Sequence, residues 1–315
     1  MFDRNVLADQ QIVLPLRFFS PANYHNIYTD IIRALILKSK CEILIDTFSN
    51  AVLPGTQVSY IHYPLLRRVS YELPDWKNKI YFYPYKNFLN FHRNKLTKKV
   101  VLANSEFTAE AVRAETGIES HVLYPSVSNK ILNNNMDNFN TQRHNNVVTV
   151  ARISTGKNLD LIPQIAKLTR RDISFEIAGL LYDKKVLDSL LRLIEKIGVS
   201  DRVKIITNVN RKKLRQMLFN SKVYLHPKVN EHFGISIVEG MAAGCIPVVH
   251  NSGGPREFVQ QNQRFDTIEE AATIVEKEVD TWSPNVAKRV TKDAEQFGES
   301  NFSSQFIDII NIHFQ

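Results

Sequence analysis

The chain has 315 residues, 43% of them hydrophobic and 23% charged, a balance that excludes a disordered or fibrous protein and supplies two domain cores. No stretch reaches the roughly 18 uncharged apolar residues of a membrane-spanning helix, and residues 1–9 are too polar for a secretory signal. The net charge of +8 favours anionic partners without choosing among nucleic acid, membrane and phosphorylated small molecules. Cys41 and Cys245, the only cysteines, both stand in apolar contexts and are expected as reduced core thiols of a cytoplasmic protein.

The first half has few clear elements. Its spacing predicts a helix over 26–38 and strands over 42–46, 57–62 and 99–104. A helix over 105–115 with Ser105 as N-cap follows, then a short strand over 122–125. Between them, residues 76–99 carry Lys77, Lys79, Lys86, Arg93, Lys95, Lys98 and Lys99 with no acidic residue, interleaved with Trp76, Tyr81, Phe82, Tyr83, Tyr85, Phe88 and Phe91. Such a mixture suits an anionic membrane interface, stacked single-stranded nucleic acid, or a half-buried element with a basic outer face. No RNA- or DNA-binding motif accompanies it, so nucleic acid is not expected as a partner.

The polar stretch 129–146 reads as an interdomain linker. Beyond it the chain alternates regularly. Strands are predicted over 147–151, 175–181, Val203–Thr207, 223–227 and Ile246–His250. Helices are predicted over 158–170, 183–197, 211–221 with Asn210 as N-cap, and 235–243, with another opened by Pro255. This βαβα order implies a parallel sheet covered on both faces, with ligands held beyond the carboxyl ends of its strands. The loops after Ala151, Leu181, Thr207, Pro227 and Asn251 would then share one rim. A last helical pattern over 303–314 is expected to pack at a domain junction.

Three groups on that rim carry chemistry. Arg152 and Lys157, five residues apart across Ser154, Thr155 and Gly156, could clamp a diphosphate or stand on a solvated loop. Glu231 and Glu239 flank seven residues and suit an acid/base pair, hydroxyl acceptors or helix-capping carboxylates. Gly253-Gly254-Pro255 ends a strand and opens a helix, a ready anion site. In the first half, His62 closes a strand before Tyr63-Pro64.

As a set, these residues resemble the retaining glycosyltransferases of the GT4 family, strongly over residues 147–259. The closer likeness is to the ALG11-type α-1,2-mannosyltransferases of lipid-linked oligosaccharide assembly. It rests on Glu231-His232-Phe233-Gly234-Ile235, Met241-Ala242-Ala243-Gly244, His250-Asn251-Ser252-Gly253-Gly254-Pro255, Tyr60-Ile61-His62-Tyr63-Pro64, Ala103-Asn104-Ser105 and Leu123-Tyr124-Pro125. The resemblance implies a GT-B fold: two Rossmann-like parallel-sheet domains, here an acceptor-side domain over 1–143, a donor domain over 144–298 and a terminal helix over 299–315.

It further implies a nucleoside-diphosphate sugar donor, GDP-mannose favoured, a lipid-linked or other glycan acceptor, and no required cofactor or metal. Arg152 and Lys157 would hold the diphosphate, Glu231 the sugar hydroxyls and Glu239 the ribose. Ile235, Gly253 and Gly254 would face the donor, and His62 the transferred sugar. A peripheral place on the cytoplasmic face of a membrane goes with such acceptors. One departure stands out: the family's glycine-rich loop in the first domain has no counterpart before Gly253, and the first glycine is Gly55. A shortened acceptor-side domain is therefore expected, one that suffices as it is, is completed by a partner subunit, or is confined to donor binding without catalysis.

Overall fold

The structure is a computed structural model that describes residues 26–40, 42–72, 76–96, 98–128 and 143–314. The chain divides into two compact units. Unit 1 takes residues up to Ala103 together with Ala109–His121, and unit 2 takes Asn104–Thr108 and Val122–Gln315.

Unit 1 begins with α1 (Ile27–Lys38), whose N-cap Asn26 accepts the Thr29 N–H through its side chain. Its sheet runs in the order β1 (Ile45–Asp46), β2 (Val58–Ile61), β3 (Val100–Ala103), β4 (His121–Val122), with β1, β2 and β3 parallel. The strands are shorter than their patterns predict. Residues 42–44 stay outside β1, where Leu44 instead meets Gln57 through its N–H and the glutamine carbonyl oxygen Oε1. The middle strands are buried throughout, as parallel strands covered on both faces must be.

The helices α2 (Leu65–Glu72) and α3 (Trp76–Leu96) cover this sheet. Phe82, Tyr85 and Leu89 of α3 enter a core with Ile27, Ile61, Val101 and Val112. Residues 76–96 thus form one helix with Pro84 inside it, where the missing N–H leaves a turn without its bond.

Unit 2 holds a six-stranded sheet in the order β10-β9-β8-β5-β6-β7. These are β5 (His144–Val150), β6 (Ser174–Gly179), β7 (Val203–Thr207), β8 (Ser221–His226), β9 (Ile246–His250) and β10 (Arg264–Phe265), and every pair is parallel. The crossovers are α5 (Leu161–Leu168), α6 (Lys184–Lys196), α7 (Arg211–Asn220) and α8 (Ile235–Ala242). Alternate side chains divide the core between the two faces. Val147, Val223 and Leu225 pack on one side, while Val148 and Tyr224 pack on the other.

After β10 come α9 (Ile268–Thr281), opened by a capping box of Thr267 and Glu270, then α10 (Pro284–Ala294) and α11 (Glu299–Phe314). The helix α4 (Glu106–Thr116) straddles the division of units. Its first residues, in unit 2, are fixed by Ser105, which accepts the Thr108 N–H, and by Glu257, which accepts the N–H groups of Glu106 and Phe107 at 2.9 and 3.0 Å.

Three expectations are corrected. The linker pattern over 129–146 ends too late. Residues 129–142 lie outside the described residues, but His144 opens β5 and Arg143 is only 6% exposed. Arg143 donates to the carbonyls of Ser221 and Ala243, both at 2.6 Å, and its guanidinium stacks 4.8 Å from the centre of the Trp282 ring. Those partners let a polar segment enter the core.

The helix predicted from residue 158 begins only at Leu161, because Asn158 adopts φ 51° in the left-handed region. Pro255 opens no α-helix but a single 3-10 turn, Gly254–Glu257, and the Gly254 N–H is already bonded to the Glu231 carbonyl at 2.8 Å. Cys245 is buried and free, whereas Cys41 lies outside the described residues. Among the described residues, no helix is long and apolar enough to cross a membrane.

Candidate active site

The strand order of unit 2 reverses direction once. From β5 the chain moves outward to β6 and β7, then returns to place β8 on the other flank of β5. The loops leaving the carboxyl ends of β5 and β8 therefore diverge, which opens a crevice at that point of a doubly wound sheet. Arg152 and Lys157 lie on the β5 loop. Glu231 lies on the β8 loop.

Across this crevice Lys157 Nζ stands 3.1 Å from Glu231 Oε2. His226, the last residue of β8, places Nε2 3.0 Å from the same oxygen. The other oxygen, Oε1, accepts the His232 N–H at 3.1 Å. Burial pushes the Glu231 carboxyl up, but the hydrogen bond from His226 and the charges of Lys157 and Lys228 outweigh it. The group is held well below the usual carboxylate range. Glu231 is thus a mostly buried anion, its side chain 12% exposed, facing a cation that is itself only partly exposed.

Arg152 is exposed, with its guanidinium 5.5 Å from the centre of the Tyr182 ring. Tyr182 belongs to the adjoining β6 loop and is 74% exposed, so an aromatic face and a cation share the open side of the rim.

Glycines shape both walls. At Gly253, φ is 73° and a Cβ would stand 2.2 Å from the Glu231 carbonyl oxygen; at Gly254 it would stand 2.1 Å from that of His232. The two loops cross backbone to backbone, and only glycine permits it. Ser252 adds an Oγ that accepts the Asn230 N–H at 2.7 Å. Asn158 ties in the third loop by accepting the Val229 N–H at 3.2 Å. Gly234, at φ 92°, then starts α8. Ile235 is the first residue of that helix, where N–H groups lack intrahelical acceptors, and its side chain is 45% exposed.

A family model described as "Glycosyl transferases group 1" matches residues 133–296, more than half of the chain. The chain belongs to the group 1 glycosyl transferases. Among curated proteins, it is 28% identical over 241 residues to the GDP-Man:Man(3)GlcNAc(2)-PP-Dol alpha-1,2-mannosyltransferase of Dictyostelium discoideum, over 67% of this chain and 47% of that protein. The human protein of the same name is 43% identical over 74 residues, which is 24% of this chain and 15% of that one. The chain spans less than half the length of these relatives.

Two solved structures have the same fold. HepE of Anabaena, in complex with UDP, has a TM-score of 0.68 at 16% identity, covering 91% of this chain and 77% of that one. WaaG, a glycosyltransferase involved in lipopolysaccharide biosynthesis, has a TM-score of 0.67 at 14% identity, covering 95% and 86%. The fold is GT-B, as the sequence resemblance implies.

Within this group 1 glycosyl transferase, the residues singled out from sequence fall into two sets. Arg152, Lys157, Glu231, Glu239, Ile235, Gly253 and Gly254 all belong to unit 2. Of these, Lys157 and Glu231 are in direct contact, and Gly253 and Gly254 touch the Glu231 loop. Glu239 lies on α8, half-buried, with its carboxyl raised by burial against the pull of Arg211. His62 belongs to unit 1, just past β2, where its N–H donates to Asn50 Oδ1 at 2.7 Å. Burial pushes its imidazole down, opposed by a hydrogen bond to the Thr47 backbone. Sequence reasoning gave no role to His226 or Tyr182. For His226 the available signal was a histidine ending a buried strand immediately before a proline.

Proposed function

We propose that this chain is a retaining hexosyltransferase that moves mannose from GDP-mannose to a lipid-linked or other glycan acceptor. The observation that carries the reading is the Lys157–Glu231 pair at the switch point of the unit 2 sheet, 3.1 Å apart between the loops of β5 and β8. The names of the relatives favour this donor and acceptor class, and the UDP in the HepE complex favours a nucleotide ligand.

In this reading Arg152 and Lys157 take the diphosphate, Glu231 the sugar hydroxyls and Glu239 the ribose. Backbone at Ile235, Gly253 and Gly254 faces the donor. The bond from the anomeric carbon to the diphosphate breaks, the acceptor oxygen bonds that carbon, and the acceptor proton leaves with the diphosphate. Fixed cations that meet charge developing on the leaving group lower the barrier, and they do so without a metal or other cofactor. Residues 144–298 are the donor half and the N-terminal unit serves the acceptor.

Calorimetric titration with GDP, UDP and their sugars tests the reading, followed by donor hydrolysis with and without lipid acceptors. GDP-mannose binding and turnover are expected. Failure to bind any of these nucleotides refutes it. Donor binding without turnover favours instead a non-catalytic subunit completed by a partner, a reading prompted by the lack of any Gly-Gly pair before Gly253.

The acceptor class agrees with one feature of unit 1. Trp76, Ile80, Tyr83 and Phe91 are 62–84% exposed on α3 and, at about 100° per residue, fall in an arc of roughly 80°. Lys79, Lys86 and Arg93 flank that stripe on one side and Lys77 and Lys95 on the other. An apolar stripe between two rows of cations fits a helix lying in the plane of an anionic membrane at the cytoplasmic face. Flotation with phosphatidylserine vesicles but not with phosphatidylcholine, lost in Phe91→Ser, is the expected result. Equal binding to both lipids would refute it.

A further inference from the structure

His226 is 3% exposed at the end of β8, and its Nε2 meets Glu231 Oε2 at 3.0 Å. A carboxylate only accepts, so Nε2 carries the proton of this bond. The other ring nitrogen, Nδ1, is buried with no hydrogen-bond partner among the described residues. A buried histidine with one nitrogen unpaired is costly for folding. Its single polar bond is spent on the carboxylate assigned above to the donor sugar.

Glu231 Oε2 has two donors, and they differ in what a ligand does to them. Lys157 is 20% exposed and sits on the β5 loop, beside Gly156, where a Cβ would meet open space. An incoming diphosphate attracts it away from Glu231. His226 lies in the sheet itself and cannot follow. Once Lys157 has turned to the diphosphate, His226 and the His232 N–H are the contacts left to hold the carboxylate.

We propose that His226 is a positioning residue for donor-sugar recognition, keeping Glu231 oriented after Lys157 transfers to the diphosphate. This inference rests on the sugar-transferase reading of the site. It separates two contributions that the free site combines: Lys157 serves the nucleotide, and His226 serves the sugar through Glu231.

The test compares His226→Gln, His226→Asn and His226→Leu in the full chain. A glutamine amide nitrogen reaches the place of Nε2, whereas an asparagine amide reaches that of Nδ1 and leaves Oε2 without its sheet-borne donor. Expected for Asn and Leu is a ~10–100-fold loss of turnover of GDP-mannose, the range seen when a partner that orients a ligating side chain is removed. Affinity for GDP, which has no sugar, should stay within ~3-fold of wild type. Gln should recover most of the turnover. If the chain binds donor without turnover, the same split is read as affinity for GDP-mannose against GDP.

Asn equal to Gln overturns the inference, as does an Asn defect that lowers GDP affinity equally. Should the Leu variant not fold, the Gln and Asn pair decides alone. A wild-type chain that binds no nucleoside-diphosphate sugar sinks the transferase reading and this inference together. Normal wild-type binding with Asn equal to Gln sinks only the inference.

Discussion

Two walls of the unit 2 crevice are built in opposite ways. The wall formed by the loops of β8 and β9 is locked: Gly253 and Gly254 leave no room for a methyl group, and the Glu231 carbonyl accepts the Gly254 N–H. The wall formed by the β5 loop is open. A Cβ at Gly156 would meet open space, Arg152 is exposed, and Lys157 is tied by one ion pair. In the proposed function, the rigid wall would present a carboxylate at fixed geometry to the sugar hydroxyls, while the adaptable wall would let cations close on a diphosphate. Preorganisation would then be concentrated where hydroxyl recognition needs direction, and freedom left where charge attraction does not.

Substitutions can break this contrast. The largest effect is expected for Gly254→Ala, whose methyl would stand 2.1 Å from a backbone carbonyl that has no free end to swing away. A cost above about 4 kcal/mol and a fall in Tm of roughly 8–16 °C should appear in thermal unfolding. A Tm within about 2 °C of wild type would show the wall to be yielding. Next come Lys157→Ala and Arg152→Ala, each expected to lower transfer more than ~100-fold, because each removes a cation from beside the proposed leaving group. Near-normal rates in either would remove the diphosphate role.

His62→Ala addresses the other unit. A ~10–100-fold loss of transfer with GDP affinity unchanged is expected if it acts on the transferred sugar, and an unchanged rate would dismiss that role.

The pH dependence of unit 2 sharpens the comparison further. The folded Glu231 carboxyl lies below its unfolded value, so its contribution to stability is full above about pH 4.3 and is lost as pH falls through the folded value. Glu231→Gln should therefore narrow the loss of stability in acid, measured as Tm against pH. A wild type and variant that fall in parallel would contradict the assigned sign. The smallest effect belongs to Gly156→Ala. Only the φ of 79° resists it, so about 1–2 kcal/mol is expected, against the larger cost at Gly254.

Much of unit 2 is legible because its signals are local. The strands Val203–Thr207 and Ile246–His250 match their apolar runs, and Asn210 and Ser105 cap the helices they precede. Glycine spacing and the two glutamates marked the rim. What stayed hidden depends on neighbours distant in sequence. Arg143 reads as linker because its partners, the carbonyls of Ser221 and Ala243 and the Trp282 ring, lie 78 or more residues away. The turn after Gly253 reads as a helix start because local propensity does not register that Glu231 already takes the Gly254 N–H. In unit 1, residues 76–99 show aromatic and basic composition. Only the helix α3 sorts them into a buried row of Phe82, Tyr85 and Leu89 and an exposed stripe between cations.

By itself, then, the sequence determined a βαβα chain with parallel-sheet periodicity, the residue types able to meet a phosphate and a sugar, and the glycines without which the loops could not form. The tertiary structure decided which of those residues touch. Strand order, with β8 beside β5 rather than β7, sets Lys157 against Glu231, which His226 at the end of β8 also meets. Periodicity records which face of a strand is buried. It does not record which strand lies beside it, because that choice comes from long-range packing of the whole sheet.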